Sequence, residues 1–220
     1  MLDALTEPGG PLKLAVPRGA LMEEVLDLLD GVGVKTSEVR GDSRSLVFDG
    51  GEVILVTMRP YDVPTYVEAG AADLGITGKD VLLEQDDRRI FELLDLRVGL
   101  CRMVLATRRG DEAPGEHQRR LGMTRIATKY PRIAEAYFES KGRQVEVVEV
   151  KGSIELAPLV GLADGIVDLV ATGRTLVEND LEEREQIVTC TARLVANQVS
   201  YRLRSDEIAS LTSRLREAAG

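Results

Sequence analysis

The sequence predicts an α/β protein built as two units, on three observations. Short apolar runs alternate with helical apolar faces along the chain. Two longer β-rich runs, Leu96 to Thr107 and Gln186 to Gln198, flank the segment 108–185. The chain's 220 residues suffice for one large domain or two small ones and leave little room for a third. On this reading the chain leaves its first unit, builds a second and returns: 1–101 in the first, 102–188 in the second, 189–220 back in the first. Two crossing strands would then join the units across a central cleft, the place where small ligands usually bind. A single continuous sheet accounts for the same strand lengths.

Leu12 to Val16 reads as a strand, and Leu21, Val25, Leu28, Leu29 and Val32 follow on one helical face. Glu52 to Thr57 is a second strand leading through Arg59-Pro60 into a helix over Val63 to Ala69, with Pro64 tolerated in its first turn. Asp73 to Thr77 is a short buried strand, followed by the helical Lys79 to Glu84. Further strands fall at 125–128, 145–150 and 168–171, with helices at 132–141, 154–163 and 175–181. Ile208, Leu211 and Leu215 form one stripe of a final helix, Ser205 to Ala218. The alternation implies mostly parallel sheets.

Composition narrows the function. Net charge is −9, Trp is absent and aromatic residues are 4%, so a basic or base-stacking nucleic-acid surface is not expected. No stretch approaches a membrane span, and Met1 to Gly10 lacks the basic and apolar regions of an export signal, which predicts a cytoplasmic protein. Two cysteines, Cys101 and Cys190, cannot build a zinc cluster and read as neighbours on the crossing strands. The single histidine, His117, sits in a polar run that reads as a surface loop, against Ser-His-Asp chemistry or a multi-histidine metal site.

One device recurs four times: an apolar strand ends in a Gly-, Thr- or cation-bearing turn and enters a helix. The four are Val16-Pro17-Arg18-Gly19, Ile76-Thr77-Gly78-Lys79, Ala127-Thr128-Lys129-Tyr130 and Val170-Ala171-Thr172-Gly173-Arg174-Thr175. Such turns present backbone N–H groups, hydroxyls and a cation, which suits phosphate; they also serve as plain connectors. In the last of them Asp168 precedes Thr172-Gly173-Arg174-Thr175 by four positions, so a carboxylate can reach ribose hydroxyls while the turn holds a 5-phosphate. This resembles the phosphoribosyl pyrophosphate loop of phosphoribosyltransferases, with Val167 in place of the first of the two usual acids.

The wider spacing is more specific. Glu155, Gly161, Ala163, Ile166, Asp168, Leu169, Thr172, Gly173, Thr175 and Leu176 stand as in the signature of the ATP phosphoribosyltransferase family, the first enzymes of histidine biosynthesis. The resemblance continues through Leu14 to Gly19, Arg59 to Tyr66, Ala72 to Leu82, Arg125 to Pro131 and Lys151 to Pro158, and covers roughly Leu12 to Leu215.

It implies two α/β domains of the type II periplasmic-binding-protein kind with a central cleft. The implied reaction joins phosphoribosyl pyrophosphate to N1 of ATP, with inversion at C1′ and loss of pyrophosphate. Mg2+ is implied as cofactor, bridging pyrophosphate oxygens rather than sitting in a protein cage. Asp168, Ala171, Thr172, Gly173, Arg174 and Thr175 would bind phosphoribosyl pyrophosphate. Arg18, Gly19, Arg59 and Asp73 would line the ATP side, and Lys79, Lys129 and Lys151 are cations for phosphate or pyrophosphate. No general base is identified. Ala20 stands where the family usually has Arg, and Arg18 is the expected substitute. The length matches the family's short form, which implies a homodimer of this chain within a hetero-oligomer, a hetero-octamer, with a histidyl-tRNA-synthetase-like regulatory subunit. The same two-domain architecture also serves solute receptors and transcriptional sensors. The excess negative charge is expected outside the cleft.

Overall fold

A computed structural model describes residues 9–41, 44–111 and 123–220, so His117 lies outside the described residues. Unit 1 holds the chain up to Gly99 and from Thr191 onward; unit 2 runs from Leu100 to Cys190. The chain therefore changes unit at 99–100 and 190–191, where the sequence placed the changes at 101–102 and 188–189.

Unit 1 contains β1 (Leu12–Pro17), α1 (Met22–Gly31), α2 (Ser37–Arg40), β2 (Val47–Asp49), β3 (Val53–Met58), α3 (Val63–Glu68), β4 (Leu74–Gly78), α4 (Lys79–Glu84) and β5 (Ile90–Asp95). Unit 2 contains β6 (Cys101–Arg108), β7 (Thr124–Thr128), α5 (Pro131–Ser140), β8 (Val145–Glu149), α6 (Leu156–Leu159), β9 (Gly165–Val170), α7 (Arg174–Glu178) and β10 (Leu181–Cys190). The return to unit 1 adds β11 (Ala192–Asn197), α8 (Gln198–Leu203) and α9 (Ser205–Ala219).

Strand order in unit 1 is β2-β3-β1-β4-β11-β5, and in unit 2 β10-β6-β9-β7-β8. Both sheets are mixed, which corrects the mostly parallel expectation. β1 is parallel to β3 and β4, and β7 to β8 and β9. β11 runs antiparallel to β4, and β6 antiparallel to β9. These two antiparallel members are the strands that adjoin the crossings, so each arrives from the other unit against the local strand direction.

Alternation along β1 sends successive side chains to opposite faces of the sheet. Leu12, Leu14 and Val16 pack with Val25 and Leu29 of α1 and with Ile208, Leu211 and Leu215 of α9. Ala15 faces the other way, against Val63 and Val67 of α3. Both faces of the sheet are covered where Leu14, Ala15 and Val16 lie, and those residues are apolar; Lys13, near the strand's start, is the charged exception. On the α3 face a Cβ at Gly75 would stand 2.5 Å from Val63 Cγ1 and 2.7 Å from Val67 Cγ2, and only glycine lets the helix approach this closely. In unit 2 the core is Val104, Ala106, Ala127, Ile154, Ile166, Val170 and Leu176 with their neighbours.

Neither long β-rich run is one strand. Arg97 (φ 55°) and Gly99 (φ 67°) turn the chain between β5 and β6, with the Gly99 N–H donating to Glu24 at 2.8 Å. Thr191 separates β10 from β11, its hydroxyl donating to Asp95 at 2.7 Å. β10 begins at Leu181 within a charged stretch read as a helix end. It is an edge strand with two register shifts, a position where exposed charges are expected. The expected helix 154–163 shrinks to α6, ended by Gly161 in the left-handed region at φ 75°.

Candidate active site

Parallel strands deliver their carboxyl ends to one end of a sheet, where ligands of open α/β folds bind. In unit 1 the register Pro17↔Met58 and the bond from Arg18 N–H to the Met58 carbonyl (2.7 Å) set Arg18 and Arg59 side by side after β1 and β3. Lys79 follows β4 at that same end. In unit 2, Lys129, Lys151 and the 171–175 turn follow β7, β8 and β9 respectively, again at one end of their sheet. All four strand-turn-helix devices therefore sit at carboxyl ends of mutually parallel strands, two per unit.

Arg18 is half-buried, with Nε donating to Thr57 Oγ1 at 2.9 Å and Nη2 to the Ser45 carbonyl at 3.0 Å. Gly19 adopts φ 91°, left-handed backbone that favours glycine, and its carbonyl accepts from Met22 N–H. Arg59 is exposed on extended backbone before the turn Pro60–Asp62. Lys79 pairs with Glu92 of β5 at 2.7 Å. Thr77 is not available to a ligand: it is buried and donates to the Pro60 carbonyl at 2.8 Å.

Asp73, expected on the ATP side, is not brought together with this group. It precedes β4, a strand's length (roughly 16 Å) from the Arg18 end. Its carboxylate is buried and accepts from Lys13 N–H at 2.8 Å and from Ser200 Oγ at 2.6 Å, with Arg204 at 3.7 Å. Asp73 is a structural clasp for α8.

In unit 2, Asp168 lies on β9 opposite Val104 of β6. Burial pushes its carboxyl above the ordinary value of 3.8, against the lowering effects of the Leu169 N–H and Lys129; Glu155 adds to the rise. A carboxylate kept desolvated beside an exposed turn is the pattern that marks functional groups. Thr172, Arg174 and Thr175 are exposed. Gly173 takes φ 78°, and the Thr172 hydroxyl accepts from Arg174 N–H at 3.4 Å. The Arg174 guanidinium turns along α7 to Glu178 at 2.7 Å. Thr128 is buried, donating to the Val167 carbonyl at 2.7 Å and accepting from Tyr130 N–H at 2.9 Å, so the Lys129 turn offers its cation and not its hydroxyl. Lys151 is exposed, 3.7 Å from Glu149.

Two arginines at these strand ends escape a search for strand-turn-helix devices, because they open antiparallel strands. Arg102 of β6 pairs in register with Val170, and Arg193 of β11 with Thr77. Arg193 joins Glu92 (3.3 Å) and Asp95 (3.0 Å). Only the strand pairing brings them there. Among the described residues no group of three or more His, Cys, Asp or Glu is placed to hold a metal ion.

The model of the family described as "ATP phosphoribosyltransferase" matches residues 59–217. The chain belongs to the ATP phosphoribosyltransferase family. An ATP phosphoribosyltransferase of Rubrobacter xylanophilus is 52% identical over 203 residues, 91% of this chain and 93% of that protein. The structure of the ATP phosphoribosyl transferase (HisG:HisZ) complex from Thermotoga maritima contains a chain 39% identical to this one. It superposes with a TM-score of 0.78 over 94% of this chain and 98% of that one. The periplasmic aliphatic sulphonate binding protein SsuA from Escherichia coli, 11% identical, gives 0.61 over 97% of this chain and 73% of that one. That likeness concerns the fold alone.

Proposed function

We propose that this chain is the catalytic subunit that transfers the 5-phosphoribosyl group of phosphoribosyl pyrophosphate to N1 of ATP, releasing pyrophosphate, as the first step of histidine biosynthesis. The observation that carries the division of the site is the exposed Thr172-Gly173 turn at the end of β9 beside the desolvated Asp168, inside the segment matched by the family model. In this assignment Ala171 to Thr175 hold the 5-phosphate and Asp168 accepts from ribose hydroxyls. Arg18, Gly19 and Arg59 take the ATP phosphates.

The reaction needs alignment and charge rather than a covalent nucleophile. Adenine N1 is weakly nucleophilic, so holding it in line with C1′ is the main task. C1′ gains positive character as the leaving oxygens gain negative charge, and Lys129, exposed at the turn's end of the sheet, is placed to offset the latter. Lys79 and Lys151 carry carboxylate partners and are assigned secondary parts in phosphate attraction. The family resemblance implies Mg2+, which, if carried by phosphoribosyl pyrophosphate, would help neutralise the leaving pyrophosphate.

We assign the chain a cytoplasmic place, where both substrates are made; among the described residues no helix is long and apolar enough to cross a membrane. By analogy with the Thermotoga maritima HisG:HisZ complex it would work with a second kind of subunit in a hetero-oligomer. The family resemblance, not that complex, is the ground for proposing a histidyl-tRNA-synthetase-like regulatory partner and a dimer of this chain within a hetero-octamer. Equilibrium binding tests the site division: Thr172→Val should weaken phosphoribosyl pyrophosphate by about tenfold and leave ATP within about twofold. Equal loss of both would refute it.

A further inference from the structure

Arg102 is the second residue of β6, and its guanidinium reaches the 171–173 turn from the antiparallel side of β9. Glu183 of β10 holds it, with Nη2 at 2.8 Å and Nε at 3.1 Å from Oε2. Nη1 donates to the Ala171 carbonyl at 3.4 Å. Nη2 lies 3.9 Å from the point where a Cβ at Gly173 would stand, so the cation lies against the turn.

The peptide joining Ala171 to Thr172 is trans, as are the others among the described residues. A trans peptide is planar, with its C=O and N–H on opposite sides, so fixing one fixes the other. With the Ala171 carbonyl drawn toward Arg102, the Thr172 N–H faces away from Arg102. A flipped peptide would present a carbonyl dipole to phosphate oxygens and withdraw a donor.

We infer that Arg102, clamped by Glu183, is a positioning residue for the phosphoribosyl pyrophosphate turn: it sets the 171–172 peptide so that the Thr172 N–H serves the 5-phosphate. This rests on the proposed role of that turn. The competing part for such a cation is direct contact with substrate phosphate, and the clamp separates the two. If Arg102 acts through the peptide, loosening it weakens substrate binding; if it acts by touching phosphate, freeing it from Glu183 strengthens binding.

The test is steady-state kinetics of the chain with its regulatory subunit and Mg2+, varying each substrate at saturating levels of the other. Arg102→Met is expected to raise the KM for phosphoribosyl pyrophosphate about tenfold and to leave the KM for ATP within about twofold. Glu183→Gln is expected to raise it about threefold, and Arg102→Lys, which restores charge and one donor, to fall between wild type and Arg102→Met. Should Arg102→Met fail to fold, Glu183→Gln carries the test. An unchanged KM for phosphoribosyl pyrophosphate in folded Arg102→Met, or a lowered one in Glu183→Gln, overturns the inference. Thr172→Val distinguishes the failures. No effect there removes the turn as the phosphate site and the inference with it, whereas an effect there with none in Arg102→Met overturns the inference alone.

Discussion

The Ser200 hydroxyl donates to the Asp73 carboxylate at 2.6 Å, tying the start of α8 to the foot of β4 across 127 positions of sequence. The same carboxylate accepts the Lys13 N–H, so it joins β1, β4 and α8 at the end of the sheet remote from Arg18. Asp73→Ala should therefore cost about 1–3 kcal/mol, the usual penalty for stranding buried hydrogen-bond partners. Denaturant melts check the loss, and the KM for ATP should stay within about twofold.

Gly75 admits α3 to the sheet. Gly75→Ala would put a methyl against Val63 and Val67 at 2.5 and 2.7 Å, and these β-branched side chains have little rotamer freedom with which to yield. Overpacking of this kind costs about 1–3 kcal/mol. A fall in the thermal midpoint is expected.

Asp168→Asn should separate stability from function. A carboxyl whose native value lies above 3.8 binds more protons folded than unfolded, so its contribution to stability falls as pH rises through that window. Burial penalises the charged carboxylate, and the neutral amide relieves that penalty. The variant should melt at or above the wild-type temperature while the KM for phosphoribosyl pyrophosphate rises by about tenfold or more.

Lys129 lowers the Asp168 carboxyl from its desolvated position. Lys129→Met removes that effect, so the acid limb of the pH profile for phosphoribosyl pyrophosphate binding should move to higher pH. Lys151→Met, at an exposed side chain beside Glu149, should leave the limb in place. Binding measured across the acid range with each variant makes the comparison.

Local chemistry made much of this legible. The apolar alternation in β1 and the helical stripe of α9 describe surfaces that are buried where they were expected. The strand-turn-helix devices fall at carboxyl ends because a parallel strand and its following helix are a local unit. What pairing alone decides was hidden. β10 carries Glu182, Glu183, Arg184 and Glu185, a composition that reads as helix or loop until its edge position is known. Arg102 and Arg193 reach their places only through antiparallel register with β9 and β4. Asp73 sits inside a family-like segment, yet its partners lie on β1, α8 and at Arg204, far off in sequence, and they show it to be a clasp.

The most direct measurement follows the ultraviolet absorbance of the N1-substituted adenine when the chain and its regulatory subunit are mixed with ATP, phosphoribosyl pyrophosphate and Mg2+. The account predicts an absorbance rise that requires both substrates, releases one pyrophosphate per adduct and, at phosphoribosyl pyrophosphate well below the wild-type KM, falls about tenfold in Thr172→Val. No adduct from the folded, partnered wild-type chain, or full activity in Thr172→Val at that low substrate concentration, would contradict it.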